Sequence, residues 1–251
     1  MLRHQIYYLI KPYIPRTVRL AIRGVLARRR VAAVRDHWPT LATAGTRPID
    51  WPGWPDDKAF AVVLTHDVEG RQGLNNVRPL AELEMSLGFR SSFNFVPRGE
   101  YQVSDELRRW LTEHGFEIGV HDFRHDGSLY RSESEFRAQV PLINAQLKAW
   151  GAVGFRAGFM FHNLKWLSQL DVLYDASTFD TDPFEPQPDG AGTIFPFWVE
   201  CPSDSPRPGS SGGYVELPYT LVQDSTLFLL LRERTPRIWT EKVDWIASCG
   251  G

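Results

Sequence analysis

Apolar residues in this chain form short runs that end at polar clusters, and between these runs they recur at helical spacing. A short apolar run bounded by turn residues indicates a β-strand. Apolar residues that recur every three or four positions indicate an amphipathic helix. The predicted strands lie at 60–66, 90–96, 116–121, 155–159, 172–177, 194–199 and 214–220.

The predicted helices carry start and stop signals. Ser104 and Ser132 are suited to cap the first turns of two helices, and Glu135 completes a capping box with Ser132. Glycines such as Gly115 and Gly151 are typical of helix C-termini. We predict helices at 75–87, 104–114, 132–150, 163–170 and 239–248.

This alternation of strands and helices predicts parallel βαβ units and an α/β fold, built most economically as a (β/α) barrel. The chain of 251 residues is long enough to bury a full-sized core. We predict that the barrel domain spans 59–251. Because Gly250 and Gly251 follow the last predicted helix, we expect a further strand after them.

Basic residues are concentrated at the N-terminus, where no acidic residue precedes Asp36. In the predicted helical segment 1–36, four apolar residues fall on one face and the arginines surround it, the pattern of a basic amphipathic helix. We expect the arginines to lie in water, with contact to an anionic membrane surface as the alternative. The four apolar residues are Val18, Ile22, Val25 and Leu26.

The remaining sequence features are a loop after the basic segment, two cysteines and the apolar runs. From the cysteines we expect a reducing compartment. Residues 37–58 are rich in Pro, Gly and Trp and predict a wrapping loop. Cys201 and Cys249, the two cysteines, indicate neither a disulfide framework nor a cysteine-ligated zinc site. The apolar run at 6–10 is too short for a signal-peptide core, and no segment has the length of a membrane span. We expect a cytoplasmic protein, with peripheral attachment to the inner membrane as the alternative.

Ionisable side chains follow two of the predicted strands. The stretch AVVLTHDVEG at 61–70 delivers Asp67 and Glu69, and GVHDFRHDG at 119–127 delivers His121 and His125. One helical turn would point the two imidazoles, four residues apart, the same way. A carboxylate and two histidines leave a coordination position open, as catalytic metal sites do.

These motifs resemble those of the polysaccharide deacetylases, the NodB-homology group of carbohydrate esterase family 4. Residues 65–69 are similar to the family's TFDDG motif and residues 121–125 to its HSxxH motif. Arg156 in GFRAGF resembles the arginine of the third motif. The resemblance extends from about residue 60 to the end and implies a distorted (β/α) barrel of seven or eight units, here with its last strand missing.

The resemblance also implies a function. Members of the family are metal-dependent hydrolases that remove acetyl groups from N-acetylated sugars or polysaccharides, with one divalent ion, usually zinc. By position, Asp67 is the general base and Arg156 its partner, while His121 and His125 are metal ligands. The expected substrate is an N-acetylated carbohydrate, in line with a role in exopolysaccharide biosynthesis.

The chain departs from the family pattern at two places. Val68 stands where the family has its metal-binding aspartate, so we expect Glu69 to be the third metal ligand. The alternative is that Asp67 is itself the ligand and the base lies elsewhere. The family's last histidine, which protonates the leaving amine, has no match, and we expect it after Gly251.

Three further predictions concern substrates and partners. We expect Asp182 and Phe184 to contact the substrate from the loop at 174–190, although the same residues suit a rigid loop. Alternative functions are hydrolysis of another non-peptide C–N bond, and carbohydrate binding by a degenerate, non-catalytic barrel. A nucleic-acid partner is not expected, because the N-terminal arginines lack interleaved aromatic residues.

Overall fold

The computed structural model describes residues 15–36, 38–185, 187–201 and 212–251. Residues 1–14 of the predicted segment 1–36, with the apolar run at 6–10, and His37 at the start of the predicted loop lie outside these ranges. The chain divides into two compact units, each described by itself. The sheet unit comprises Gly53–Phe179 and Phe195–Tyr219, and the helical unit comprises Met1–Pro52, Asp180–Ile194 and Thr220–Gly251.

The sheet unit contains a seven-stranded, mostly parallel sheet, which confirms the predicted α/β class. The strand order is β1-β2-β3-β4-β5-β7-β6. Each neighbouring pair is parallel except β6 and β7, which are antiparallel. Among the described residues, β1 and β6 form the two edges of the sheet. The strands are β1 Thr65–Val68, β2 Ser92–Phe95, β3 Glu117–His121, β4 Gly154–Arg156, β5 Tyr174–Asp175, β6 Phe197–Glu200 and β7 Gly213–Glu216.

The helices begin and end close to the predicted signals. The Oγ of Ser104 accepts a hydrogen bond from the Leu107 amide at 3.1 Å, and the Oγ of Ser132 accepts one from the Glu135 amide at 3.2 Å. The helices are α1 Arg16–Val34, α2 Arg71–Ser86, α3 Asp105–Glu113, α4 Glu133–Trp150, α5 Leu164–Leu167 and α6 Arg237–Cys249.

All seven predicted strands are longer than the observed ones, and two of them show the physical reason. Strand β1 begins only at Thr65, because β2 begins at its partner Ser92 and offers residues 60–63 no strand to pair with. The predicted strand 155–159 ends at Arg156, since Phe159 and Met160 adopt positive φ angles of 59° and 54° in a turn. Hydrophobicity located both strands, but the extent of the neighbouring strands sets their length.

Two apolar clusters hold the sheet unit together. One cluster includes Val120, Phe155 and Tyr214, and the other includes Val68 and Phe93. Trp150, the last residue of α4, packs against both clusters. Helices and sheet therefore share one continuous apolar interior, and Val68 is part of it.

The helical unit has a small core of its own. Trp38, Val222, Leu227 and Ile238 are buried together, so the first tryptophan of the loop at 37–58 is anchored as predicted. A π-helical segment, Ser225–Leu230, lies against α1. None of the helices in the described ranges is long and apolar enough to cross a membrane.

Helix α1 packs through a face that differs from the predicted apolar face. Among its described side chains, the buried or half-buried positions are Arg19, Leu20, Gly24, Ala27, Val31 and Val34. The predicted apolar residues Val18, Ile22, Val25 and Leu26 are exposed instead. The small side chains at positions 24 and 27 explain the difference, because they let the helix approach the core closely.

Candidate metal centre

The parallel strands of the sheet unit place their polar side chains at one edge. The carboxyl ends of parallel strands meet at the same edge of a sheet, which is where α/β enzymes build their sites. The residues at or directly after these strand ends include Asp67 and Glu69 from β1, His121 from β3, Arg156 from β4, Asp175 from β5 and Glu216 from β7.

Glu69, His121 and His125 converge at this edge. The Oε1 atom of Glu69 lies 3.4 Å from Nε2 of His125 and 4.0 Å from Nε2 of His121. One ligand atom from each residue falls within 4.8 Å of the other two. The structure thus brings together the three residues that the sequence suggested as metal ligands.

A strained loop, and not the anticipated helical turn, aligns the two imidazoles. Asp122 and His125 adopt positive φ angles of 56° and 52°, a region that residues other than glycine seldom occupy. Gly158 fits against this loop because a side chain there would meet Asp122 Oδ2 at 2.5 Å and His125 Cδ2 at 2.9 Å. Strain of this kind persists only where the surrounding structure enforces it, and it clusters at functional sites.

The two histidines present their Nε2 atoms to the carboxylate. Nδ1 of His121 lies 3.0 Å from the Arg156 carbonyl oxygen, which can only accept a hydrogen bond, so Nδ1 carries a proton and directs Nε2 towards Glu69. Among the described residues, both buried Nε2 atoms face the Glu69 carboxylate, at 3.4 Å from His125 and 4.0 Å from His121, and have no other hydrogen-bond partner. An imidazole oriented through one nitrogen, as His121 is, with the other nitrogen facing a carboxylate, is typical of a metal ligand. The residues present therefore fit a divalent cation.

The geometry of strand β1 explains why Glu69, and not the preceding residue, reaches the histidines. Val68 is buried in the core, and its carbonyl oxygen accepts a hydrogen bond from the Tyr101 hydroxyl. The strand ends at Val68, so the alternation of side chains no longer constrains Glu69. Interaction with His125 outweighs burial and holds the pKa of Glu69 below its usual range.

Asp67 is held by an arginine and an amide. Its Oδ2 lies 2.8 Å from Nε of Arg156, and its Oδ1 accepts a hydrogen bond from Nδ2 of Asn94 at 3.1 Å. Burial by itself raises the pKa of Asp67, but the charges of Arg156 and the histidines lower it below its usual value. Asp67 is therefore ionised at neutral pH.

Sequence reasoning missed Asn94 and its support, Gly119. Asn94 lies on β2 and is almost fully buried, and a Cβ atom on Gly119 would fall 1.9 Å from its Oδ1. The signal in the sequence was the amide of Asn94 between two phenylalanines in SSFNFV, a predicted strand that lies between the two strand ends with ionisable residues. A polar side chain in a buried strand needs a partner, and that partner is Asp67.

Comparison with known proteins identifies the fold. No protein-family model matches the sequence, and no curated protein matches it. Among solved structures, a protein from Mycobacterium smegmatis assigned as a polysaccharide deacetylase matches with a TM-score of 0.55 and 19% identity, over 79% of this chain and 76% of its own. The chain has the polysaccharide deacetylase fold. This confirms the predicted NodB-like architecture. It also supports the family resemblance that the motifs suggested, as far as the fold is concerned.

The same polysaccharide deacetylase fold is found in an enzyme that carries another name. Puue allantoinase matches with a TM-score of 0.50 and 17% identity, over 70% of this chain. The match spans about 55% of the length of that protein. The fold alone therefore accommodates more than one kind of substrate.

The sheet of this chain also buries a carboxyl pair that the sequence did not reveal as such. Asp175 and Glu216 are register partners on β5 and β7, and both are fully buried. Burial and their mutual repulsion raise the pKa of Glu216 well above its usual range. Ser177 donates to Asp175 and accepts a hydrogen bond from the Ala157 amide at 2.8 Å, directly after Arg156. The pair thus supports the strand end that carries the arginine.

The two predicted substrate residues belong to the helical unit. Asp182 is buried, and its Oδ1 accepts a hydrogen bond from the Phe184 amide at 2.8 Å. Phe184 packs edge-to-face on Trp38, with ring centroids 5.3 Å apart. These contacts are those of a rigid loop, and substrate contact by Asp182 and Phe184 stays a prediction.

Proposed function

We propose that this chain is a metal-dependent hydrolase that removes acetyl groups from an N-acetylated sugar or polysaccharide. One observation carries the proposal: an aspartate paired with Arg156 lies two residues before Glu69, whose carboxylate faces the Nε2 atoms of two imidazoles. These groups occur together at the strand ends of a polysaccharide deacetylase fold.

Glu69, His121 and His125 would hold one divalent cation, for which zinc is our proposal. Nitrogen and carboxylate ligands suit zinc, and three protein ligands leave a position open. The cation would polarise a carbonyl oxygen and acidify water. Glu69 is more exposed than the histidines, at 61% of its side chain, so it borders the solvent side of the site.

Asp67 would act as the general base. Its ionised carboxylate can take the proton of the attacking water as the acetamide carbonyl is attacked. Arg156 and Asn94 fix both oxygens of the carboxylate, which sets the direction of proton transfer. Their contacts also lower its basicity, so Asp67 requires a water whose proton has been made more acidic.

Aromatic side chains at the site favour a carbohydrate substrate. Phe159 stacks on the His125 ring, with centroids 4.5 Å apart, and Phe161 lies 6.1 Å from Phe159. Both are half-buried. Flat apolar rings that are partly open to solvent can pack against the apolar face of a sugar.

The reaction can be tested by measuring acetate release from N-acetylglucosamine oligomers with added zinc. We expect release by the wild type and a loss of at least about 100-fold in Asp67→Asn, the size typical of a missing general base. Asp171→Asn, an exposed aspartate on the same unit, is the matched control and should retain full activity. Equal rates in Asp67→Asn and the control would overturn the assignment of the base.

The second candidate function is hydrolysis of another non-peptide C–N bond. It is favoured by the match to Puue allantoinase, which shares the fold. Allantoin belongs in the substrate panel for this reason. Ring opening without acetate release would select this function, while binding of the oligosaccharides without any turnover would select a non-catalytic carbohydrate-binding barrel.

A further inference from the structure

Helix α1 has two faces, and only one of them is packed. Gly24 lies so close to the π-helical segment that a Cβ there would meet the Leu230 carbonyl oxygen at 3.0 Å. Val31 and Val34 pack against the core of the helical unit. These contacts fix the rotation of the helix about its axis and therefore determine which residues point away.

The opposite face is a stripe of exposed aliphatic residues. Val18, Ile22, Val25 and Leu26 follow one another at i, i+4, i+7 and i+8, and between 44% and 53% of each is exposed. At 100° per residue they centre roughly 180° from the packed positions. A stripe of this length on the outside of a folded unit indicates a contact surface.

Arginines border this stripe on both sides. Arg23 and Arg30 lie on one flank, Arg28 lies on the other, and Arg29 interrupts the stripe itself; all four are exposed. The helix contains no acidic residue. Arg30 is oriented by the Pro183 carbonyl oxygen, which accepts a hydrogen bond from its Nη1 at 2.6 Å.

The segment that packs on α1 also has exposed apolar residues with arginines nearby. Phe228 and Leu229 of Ser225–Leu230 are 39% and 50% exposed. The exposed Arg232 and Arg234 follow them. Apolar side chains with arginines around them thus occur on both of the packed elements.

We propose that α1 lies flat on an anionic lipid surface, with the stripe of Val18, Ile22, Val25 and Leu26 inserted at the level of the headgroups. An apolar face bordered by basic residues is the composition of interfacial helices. Arginine guanidinium groups pair with lipid phosphates and are attracted by the negative surface potential. A second copy of this chain suits the surface less well, because it would bring two arginine-rich faces together.

The proposal is tested by sedimentation of the full chain with vesicles. Vesicles of phosphatidylcholine alone are compared with vesicles that contain phosphatidylserine. We expect binding to the phosphatidylserine vesicles at least tenfold stronger than to the neutral ones. Binding should weaken as the Debye length shrinks from about 10 Å at 0.1 M salt to about 3 Å at 1 M.

Two variants of α1, each with a matched control, distinguish binding through this helix from non-specific binding to vesicles. The double variant Ile22→Ser/Leu26→Ser should lose at least tenfold in binding, as should Arg23→Gln/Arg29→Gln. The matched controls are Val62→Ser/Val63→Ser and Arg98→Gln/Arg137→Gln, which change apolar and basic residues of the sheet unit and should bind as the wild type does. Unchanged circular dichroism and melting temperature show that each variant is folded.

Three outcomes would overturn the proposal. The first is absence of binding to either kind of vesicle, and the second is equal binding to both. The third is a stripe-dependent dimer, seen by light scattering, that does not bind vesicles, because it would assign this face to a second copy of the chain.

Discussion

Arg156 Nε lies 2.8 Å from Asp67 Oδ2, although the two residues end strands that are not neighbours. Strands β2 and β3 separate β1 from β4 in the sheet. In a flat sheet their ends would be about 14 Å apart, at ~4.8 Å per strand. The ion pair therefore requires a strongly curved sheet, as a barrel-like architecture provides.

Arg156 contacts two different side chains, and this yields a first prediction. Its Nε contacts Asp67 and its Nη1 donates to Thr65 Oγ1 at 3.2 Å, and a lysine cannot make both contacts. We expect Arg156→Lys to lower kcat/KM for acetate release by roughly tenfold to 100-fold, with metal content unchanged. Arg137→Lys, on the surface of α4, is the control. A wild-type pH profile and rate in Arg156→Lys would show that the pair does not orient the base.

Gly119 provides a prediction about packing. A Cβ at this position would overlap Asn94 Oδ1, so Gly119→Ala should displace the amide that holds Asp67. We expect a loss of about 1–3 kcal/mol in the free energy of unfolding, measured in urea. Gly73→Ala is the control, since its Cβ would meet Val68 Cγ1 at an ordinary 3.4 Å.

A double variant identifies the cause of that loss. Asn94→Ala removes the atom that the new methyl group would strike. The loss of unfolding free energy in Asn94→Ala/Gly119→Ala should therefore be smaller than the sum of the losses in the two single variants, by at least about 0.5 kcal/mol. Strict additivity would mean that the methyl group disturbs something other than Asn94.

The sequence located the residues of the candidate site better than it predicted their geometry. Apolar runs that end in Asp67 and His121 located the strand ends. A buried strand is a run of apolar residues, and the change to ionisable residues marks where it ends. The capping signals of Ser104 and Ser132 are local and were equally readable. Positions that depend on long-range contacts were not, among them the late start of β1 and the support of Asn94 by Gly119.

The loop after β3 shows the same limit. A spacing of four residues suggested a helical turn for His121 and His125, whereas positive φ angles at Asp122 and His125 bring the imidazoles together. Such angles are enforced by neighbours, here by the close approach of Gly158. No local pattern in the sequence predicts these positive φ angles.

The buried carboxyl of Asp182 predicts a pH dependence of stability. Burial, with Glu185 and Asp180 nearby, raises its pKa to about 7, against a smaller effect of Lys242. The folded protein thus binds this proton more tightly than the unfolded chain does. The resulting stability is complete below pH 4 and is lost as the pH rises from about 4 to about 7.

Asp182→Asn keeps the oxygen that caps the Phe184 amide and never becomes charged. We expect the variant to gain stability relative to the wild type between pH 4 and pH 8, by up to about 4 kcal/mol for a shift of this size. Urea unfolding at intervals of one pH unit measures the gain. The exposed Asp50→Asn should show none, and a pH-independent difference for Asp182→Asn would refute the explanation.

Glu216 yields a prediction about a neutral carboxyl. Because its pKa is raised well above the usual range, glutamine mimics its protonated form at pH 7. Glu216→Gln keeps the acceptor for the Thr178 amide, which donates at 3.0 Å, and should change stability by less than about 1 kcal/mol. Glu216→Ala removes that acceptor and leaves a cavity, at a cost of roughly 2–4 kcal/mol. Equal losses in both variants would indicate that Glu216 is charged in the folded protein.

If Glu69, His121 and His125 hold a metal ion, elemental analysis of the purified, dialysed protein will detect it. We predict about one equivalent of a divalent ion per chain. Glu69→Ala, His121→Ala and His125→Ala should each lose it, whereas Asp67→Asn and His114→Ala should retain it. A wild-type protein without any metal after incubation with zinc, or equal metal content in all five variants, would contradict the claim.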